Sequence, residues 1–305
     1  MGERPVAVGV AGAMLGIDPF QVRRNFTHAA KGYDAVAVLP REISARMLER
    51  LDYMKVDPRC VVDLGCGTGI SLTALGERYA KAKIIGVDFC EAMLRMGQQR
   101  RSHLRWMLPF LRGPKISSLM AADARFLPLG EKAVGLVWSN LMLHWLAEPL
   151  EALLEIHRVL DVGGLLIFSA FGPDTLKELR ACFDDGYEHT QRFVDMHDYG
   201  DMLMECGFSD PVMETERMTM TYSSLNDLFR ELRQNGGGCA LRQRRRGLMG
   251  RRTWRDACDA YERFRSQGRL PVTFEVVHGH AWKVEPRETA SEQSIIRFNP
   301  KQRLR

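Results

Sequence analysis

The residues best placed to do chemistry are three glycines set between two carboxylates. Val61-Val62-Asp63-Leu64-Gly65-Cys66-Gly67-Thr68-Gly69 reads as an apolar strand running into a glycine loop, and Ile84-Ile85-Gly86-Val87-Asp88 as a second strand ending on an acid. Without a Cβ, a glycine backbone takes unusual dihedrals and lies directly against a ligand. The amides at the start of the following helix, near Ile70-Ser71, can then meet an anionic group. Asp88 falls about twenty residues beyond the loop, where a carboxylate can accept hydrogen bonds from both hydroxyls of a nucleotide ribose. The spacing is D-x-G-x-G-x-G and excludes the dinucleotide fingerprint G-x-G-x-x-G, because the sixth position is Ile70 counted from Gly65 and Leu72 counted from Gly67. A glycine-rich β-to-α turn with no ligand is the plainer alternative.

Further candidates lie where later strands should end. Asp123, in Ala122-Asp123-Ala124, could accept from an adenine amino group or could be an exposed turn aspartate. Ser139-Asn140 ends a fourth strand and faces the crevice in which ligands of open α/β sheets bind. His144, in the aromatic-rich run Leu141–Trp145, is either packing or a catalytic group. Phe171-Gly172-Pro173-Asp174-Thr175-Leu176-Lys177-Glu178-Leu179-Arg180 reads as an ordinary capped helix, or as a substrate loop with Arg180 facing an anionic acceptor. No C-x-x-C pair occurs, so no zinc site or disulfide framework is indicated, and no metal is expected.

Positioning these residues takes alternating strands and helices. Strands are predicted at Cys60–Gly65, Lys83–Asp88, Ser118–Ala121, Gly135–Leu141 and Leu165–Ala170, which argues for a parallel sheet with helices on both faces. Two late strands follow at Val212–Tyr222 and Val272–His278. A helix from Pro149 should bury Leu150, Leu153, Leu154, His157 and Leu160 and end at Gly163-Gly164. Phe26–Tyr53 reads as helical with a break near Pro40, and Leu225–Leu232 and Thr253–Phe264 as helices. The expected organisation is a tail over 1–20, one domain over 21–283 with a helical cap at 21–58 and a basic helical insertion at 223–270, and a second tail over 284–305.

The 305 residues are 45% hydrophobic, ample for a buried core. Val6–Gly16 is too short to span a membrane and lacks the flanks of a signal peptide. Seven scattered cysteines suggest a reducing, cytoplasmic setting. The net charge is +5, yet Cys239–Arg269 alone holds ten arginines against three acids, an excess that predicts an acidic partner. A solvated loop is the alternative, and nucleic acid is less favoured because Trp254 is the lone aromatic among the arginines of Arg242–Arg255.

The loop at Asp63–Gly69 resembles motif I of S-adenosylmethionine-dependent methyltransferases. The segment Phe171–Arg180 resembles the G-P-D-T-L-x-E-L-R element of the malonyl-[acyl-carrier-protein] O-methyltransferases of biotin synthesis. Val22-Arg23-Arg24-Asn25-Phe26 through Tyr33-Asp34 is similar to that family's entrance helix, Arg192-Phe193 through Asp198 to its middle portion, and Leu270–Val277 to its last strand. The likeness spans roughly residues 20–283. It departs at His144-Trp145, where the family often has Gln-Trp, and at Gly236-Gly237-Gly238-Cys239, where an asparagine is common. The resemblance also extends to proteins similar to the complex I assembly factor that hydroxylates a protein arginine.

The resemblance implies a seven-stranded class I methyltransferase fold and S-adenosylmethionine bound by Asp63, Gly65, Gly67, Gly69, Asp88, Asp123 and Asn140. Arg180 and Tyr33 would position a malonyl carboxylate, and an acyl carrier protein would dock on Arg242–Arg255. Such an acceptor is already ionised and needs no general base, in keeping with a chain that offers no clear His–carboxylate or nucleophile–base pair.

Overall fold

The computed structural model describes residues 16–107 and 116–285. Seven strands, β1 Cys60–Leu64, β2 Lys83–Asp88, β3 Ile116–Ala121, β4 Val134–Asn140, β5 Leu160–Phe171, β6 Phe208–Tyr222 and β7 Leu270–Lys283, form one sheet in the order β3-β2-β1-β4-β5-β7-β6. β1 to β5 pair in parallel, and β7 runs antiparallel to both β5 and β6. This is the seven-stranded, mostly parallel α/β arrangement expected from the sequence. Strand order reverses between β1 and β4, which opens a crevice beyond their C-terminal ends.

Alternate residues of the central strands feed two cores. Val62, Leu64, Val137, Leu166 and Phe168 pack on one side of the sheet, and Val61, Leu136, Trp138, Leu165 and Ile167 on the other. Burial on both faces is why these strands read as continuous apolar runs.

Helices α1 Pro19–Ala29, α2 Tyr33–Val36 and α3 Val38–Arg50 precede β1. The expected break near Pro40 falls instead at Ala30–Gly32 and Ala37; Pro40 sits in the first turn of α3, where its missing N–H has no helical acceptor to lose. α4 Leu72–Arg78, α5 Glu91–Met107 and α6 Pro149–Val159 connect the parallel strands. α6 buries Ala152, Leu153, Ile156 and Val159, whereas Leu154 is 50% exposed, so its inner face is rotated from the one predicted. It also ends before Gly163-Gly164, which lie inside β5 beside a register shift against β4.

α7 Lys177–Arg180 and α8 Met196–Glu205 lie between β5 and β6. α9 Leu225–Gln234 and α10 Arg251–Glu262 lie between β6 and β7. Ser224 caps α9, and Leu225, Leu228 and Leu232 form its buried stripe at helical spacing. β6 and β7 are longer than expected because their pairing runs on to Phe208 and Lys283 at one end and, for β7, through Pro271 to Leu270 at the other.

The tail expected over 1–20 does not hold for residues 16–20: Ile17 is 1% exposed and Asp18 caps α1. Residues 1–15 and 286–305 lie outside the described residues. Among the described residues no helix is long and apolar enough to cross a membrane.

Candidate active site

β1 ends in the glycine loop, which turns back under β2. Gly65 and Cys66 donate their amides to Val87 O at 2.8 and 3.0 Å. Gly65, Gly67 and Gly69 have φ of +78°, +55° and +81°. A Cβ on Gly65 would stand 2.4 Å from Met142 Cγ, so dihedral and space both demand glycine there. Asp88 clasps the loop from β2: Oδ2 accepts the Gly67 N–H and Oδ1 the Cys90 N–H, each at 2.8 Å. Burial raises its pKa to about 6, against those two amides, which favour the anion. Beneath the loop, Asp63 is 1% exposed and its Oδ2 has no partner among the described residues. Burial, reinforced by the charge of Asp88, pushes its pKa up to about 8.

A cavity of about 360 Å³ opens from this loop across the ends of β4 and β5. Of the sequence-predicted residues, Tyr33, Gly65, Gly67, Asp88, Asp123 and Asn140 line it, together with His144. Asp63, Gly69 and Arg180 do not. Asp63 is the floor of the loop, and Gly69 packs toward Leu72.

Asp123 takes three hydrogen bonds from Arg125, from its backbone N–H, Nε and Nη2, and Arg125 also reaches Glu151 at 3.2 Å. The Arg125 side chain holds the Asp123 carboxyl below the usual range. Asn140 commits both ends of its amide to the protein, donating to Pro40 O at 2.9 Å and accepting from Ser169 Oγ at 2.8 Å. It therefore ties α3 to the sheet.

Tyr33 reaches the cavity because α2 is pinned to the glycine loop. Asp34 Oδ1 accepts from Thr68 Oγ1 at 2.5 Å, and Asp34 Oδ2 accepts from Arg100 at 2.6 Å. Arg100 also donates to Thr68 O at 3.2 Å. The Tyr33 phenol is pushed up by burial and then by Asp88 and Asp34, so it stays protonated as a donor. Asp34 and Thr68 stand in motifs singled out from the sequence, but Arg100 and the pairing of the three join distant parts of the chain that no spacing announces.

Arg180, expected to face the acceptor, is not on the cavity wall. Its Nη2 donates to Pro173 O and Thr175 O at 2.5 and 3.2 Å, and its Nη1 to Thr190 Oγ1 and Gln191 O at 3.3 and 3.5 Å. The guanidinium thus joins the loop at 171–176 to the segment at 190–191. β7 fixes the same loop from the other side, where Glu275 O accepts from Gly172 N–H and Glu275 Oε2 from Asp174 N–H. Loop 171–176 thus forms a fixed wall of the cavity.

The roof joins α1 to the segment after α9. Asp18 N–H donates to Ala240 O at 2.8 Å, Arg242 N–H to Gly16 O at 2.7 Å, and Asn25 Nδ2 to Gly238 O at 2.9 Å. Gly236, at φ +79°, lies so close to Phe26 that a Cβ would come within 2.7 Å of the ring.

The arginine cluster divides in two. Arg244 pairs with Asp18 at 3.2 Å, and Arg245 pairs with Asp185 at 3.0 Å and lies over the Tyr187 ring. Arg242, Arg246, Arg251, Arg252 and Arg255 are exposed, and of these only Arg252 has a carboxylate within ion-pair distance among the described residues, Asp256 at 3.9 Å. Arg242 also lines the cavity. No cluster of metal-binding side chains occurs among the described residues.

Residues 62–168 match the methyltransferase-domain family. The sheet superposes on the YcgJ protein of Bacillus subtilis (TM-score 0.57, 11% identity, 80% of this chain and 99% of that one) and on BH2331 of Bacillus halodurans (0.54, 16%, 79% and 98%), likenesses of fold alone. Among relatives, a malonyl-[acyl-carrier protein] O-methyltransferase of Gallionella capsiferriformans is 42% identical, covering 92% of this chain and 96% of its own. That of Nitrosospira multiformis is 45% identical, covering 89% and 91%. Identity at this level along nearly the whole of both chains places the protein in a family: it belongs to the malonyl-[acyl-carrier protein] O-methyltransferases.

Proposed function

We propose that the protein transfers a methyl group from S-adenosylmethionine to the free carboxylate of a malonyl thioester on an acyl carrier protein, giving the methyl ester used in pimeloyl and biotin synthesis. The observation that carries this reading is the 42–45% identity to relatives of that name over about nine-tenths of the chain. S-adenosylmethionine supplies an electrophilic methyl on a sulfonium. The residues present fit it: a loop with no room for a Cβ at Gly65, a half-buried carboxylate at Asp88 for the ribose hydroxyls, and Asp123 for the adenine amino group. Gly67 presents backbone to the ligand, Asp63 and Gly69 support the loop from below, and Asn140 sets the wall through Pro40.

The chemistry asked of this chain is alignment and removal of water. A malonyl carboxylate is ionised at neutral pH, and the His144 imidazole and the Tyr33 phenol on the cavity wall are both neutral there. Holding two reactants in line, with water excluded by the walls of Phe171, Phe193 and Trp145, can contribute up to about 10 kcal/mol. Tyr33 closes the cavity from α2. Arg180 acts through the loop that it holds, and Arg242, on the cavity wall, attracts the anionic acyl group.

The exposed Arg246, Arg251, Arg252 and Arg255, with Leu248 projecting among them at 97% exposure, suit an acidic carrier protein. Seven free thiols are in keeping with a reducing, cytoplasmic setting. Residues 16–283 read as one domain, with 16–58 as its helical cap and 223–270 as the basic insertion. The test is radiolabelled methyl transfer from S-adenosylmethionine to malonyl-carrier protein, with acetyl-carrier protein as control. Malonyl-dependent, base-labile label is the expected result; its absence would turn attention to arginine hydroxylation or a binding role.

A further inference from the structure

Two buried side chains on the cavity wall each keep a nitrogen without a partner among the described residues, Gln191, whose Oε1 accepts the Ala240 N–H, and His144. His144 is 1% exposed and is packed by Trp145, Phe171 and Phe193, with ring centroids 5.2, 4.8 and 5.8 Å away. Its Nδ1 accepts the backbone N–H of Phe171 at 3.3 Å. A neutral imidazole that accepts at Nδ1 carries its proton at Nε2, and Nε2 has no partner among the described residues. An unmade hydrogen bond in an apolar wall is a standing cost. Such cost is tolerated where a ligand completes the bond.

We propose that His144 is a substrate-contacting donor whose Nε2–H holds one oxygen of the malonyl carboxylate and leaves the other free to attack. This rests on the carboxyl-methylation reading above. Burial lowers the imidazole pKa to about 3, so the group remains neutral wherever the substrate is ionised. A neutral donor suits this task better than an arginine fork, which would stabilise the ground-state anion and blunt its nucleophilicity. Arg180 is in any case engaged by its own loop. In the transfer, a lone pair of the free oxygen forms the O–CH3 bond while the S–CH3 pair returns to sulfur. No proton moves, and the imidazole ends as it began.

The test compares wild type with His144→Phe, which keeps a ring and loses both nitrogens, and His144→Gln, which keeps an N–H donor of similar reach. Turnover of malonyl-carrier protein, affinities for malonyl-CoA and acetyl-CoA, S-adenosylhomocysteine affinity and melting temperature are measured for each. The Phe variant should lose about 10- to 100-fold in kcat/KM, the worth of a hydrogen bond to a charged group. It should also bind malonyl-CoA more weakly with acetyl-CoA unchanged, while Gln recovers most of the activity at unchanged cofactor affinity.

A fully active Phe variant overturns the proposal. So does equal loss for malonyl-CoA and acetyl-CoA, which would move the bond to the thioester carbonyl, and so does equal loss in Phe and Gln with a lowered melting temperature, which would make the ring packing alone. An inactive wild type would instead sink the methylation reading itself.

Discussion

The glycine-loop half of the cavity, proposed to hold the methyl donor, and the opposite half, proposed to hold the acceptor, are built in different ways. The donor half comes almost entirely from one stretch, 61–93: the glycine loop, Asp88 and the Cys90 amide that holds it, with Asp123 added from beyond β3. The acceptor half draws on α1 to α3, the turn after β4, the loops at 171–193 and the segment after α9. Backbone makes the first, and backbone geometry leaves little choice of residue. Side-chain pairings make the second: Asp34 with Thr68 and Arg100, Arg180 with its carbonyls, Asn140 with Pro40 and Ser169. One scaffold can therefore keep its methyl donor while its acceptor changes.

The comparison can be broken most forcefully at Asp88. Asp88→Ala removes the clasp on the loop together with the acceptor for two ribose hydroxyls, and should weaken S-adenosylhomocysteine binding by about 100-fold or more in calorimetric titration. Affinity within a few fold of wild type would place the ribose elsewhere. Next in size is the roof: reversing charge at Arg246 and Arg251 should lower kcat/KM for malonyl-carrier protein about 10-fold at low salt and leave malonyl-CoA unaffected. Equal loss on both substrates would remove docking from this surface. Arg244 and Arg245 are unsuitable for that experiment, because their ion pairs to Asp18 and Asp185 hold the roof itself.

Arg180→Ala should lower the melting temperature by roughly 2–4 °C, the effect of losing about 1 kcal/mol of part-buried hydrogen bonding at the loop. It should reduce malonyl turnover while cofactor affinity stays near normal, and Arg180→Lys should not restore either property, since an ammonium cannot reach the same set of acceptors. Restoration by lysine would return Arg180 to the substrate.

The smallest effects are those of pH. Cofactor affinity should fall as pH drops through about 6, where Asp88 becomes protonated and can no longer accept fully from the ribose. Stability of the free protein runs the other way. Both carboxyls titrate higher folded than unfolded, so their contribution is present below the ordinary carboxyl range and is lost as pH rises through about 6 for Asp88 and about 8 for Asp63. Asp63→Asn should thus raise the melting temperature at pH 8 by a few degrees relative to wild type, and by less at pH 4. A lowered melting temperature at both pH values would mean that the Asp63 carboxylate has a partner it needs.

Wherever contacts are local, the sequence was legible. The strands around Asp63 and Asp88, the turn residues between them and the buried stripe of α9 follow from periodicity and from glycine. Where it misled, a distant partner decided. Gly163-Gly164 was read as a helix end because two glycines stop helices, but pairing with β4 carries β5 back to Leu160. Residues 16–20 looked like tail because partners that hold them, the acceptor Ala240 O and the donors Arg242 N–H and Arg244, lie more than two hundred positions away. The arginine run read as one basic surface, and the fold spends two of its members on internal ion pairs.

By itself the sequence determined the sheet, the loop and the carboxylate that follows it, because each is set by the dihedrals and period of a few consecutive residues. The tertiary structure alone decided which side chains face the cavity. Arg180 bonds carbonyls of loop 171–176, Tyr33 is held at the cavity through Asp34, and His144, on the cavity wall, keeps a buried Nε2 without a partner among the described residues. A side chain's free valence depends on neighbours in space, which no spacing along the chain records.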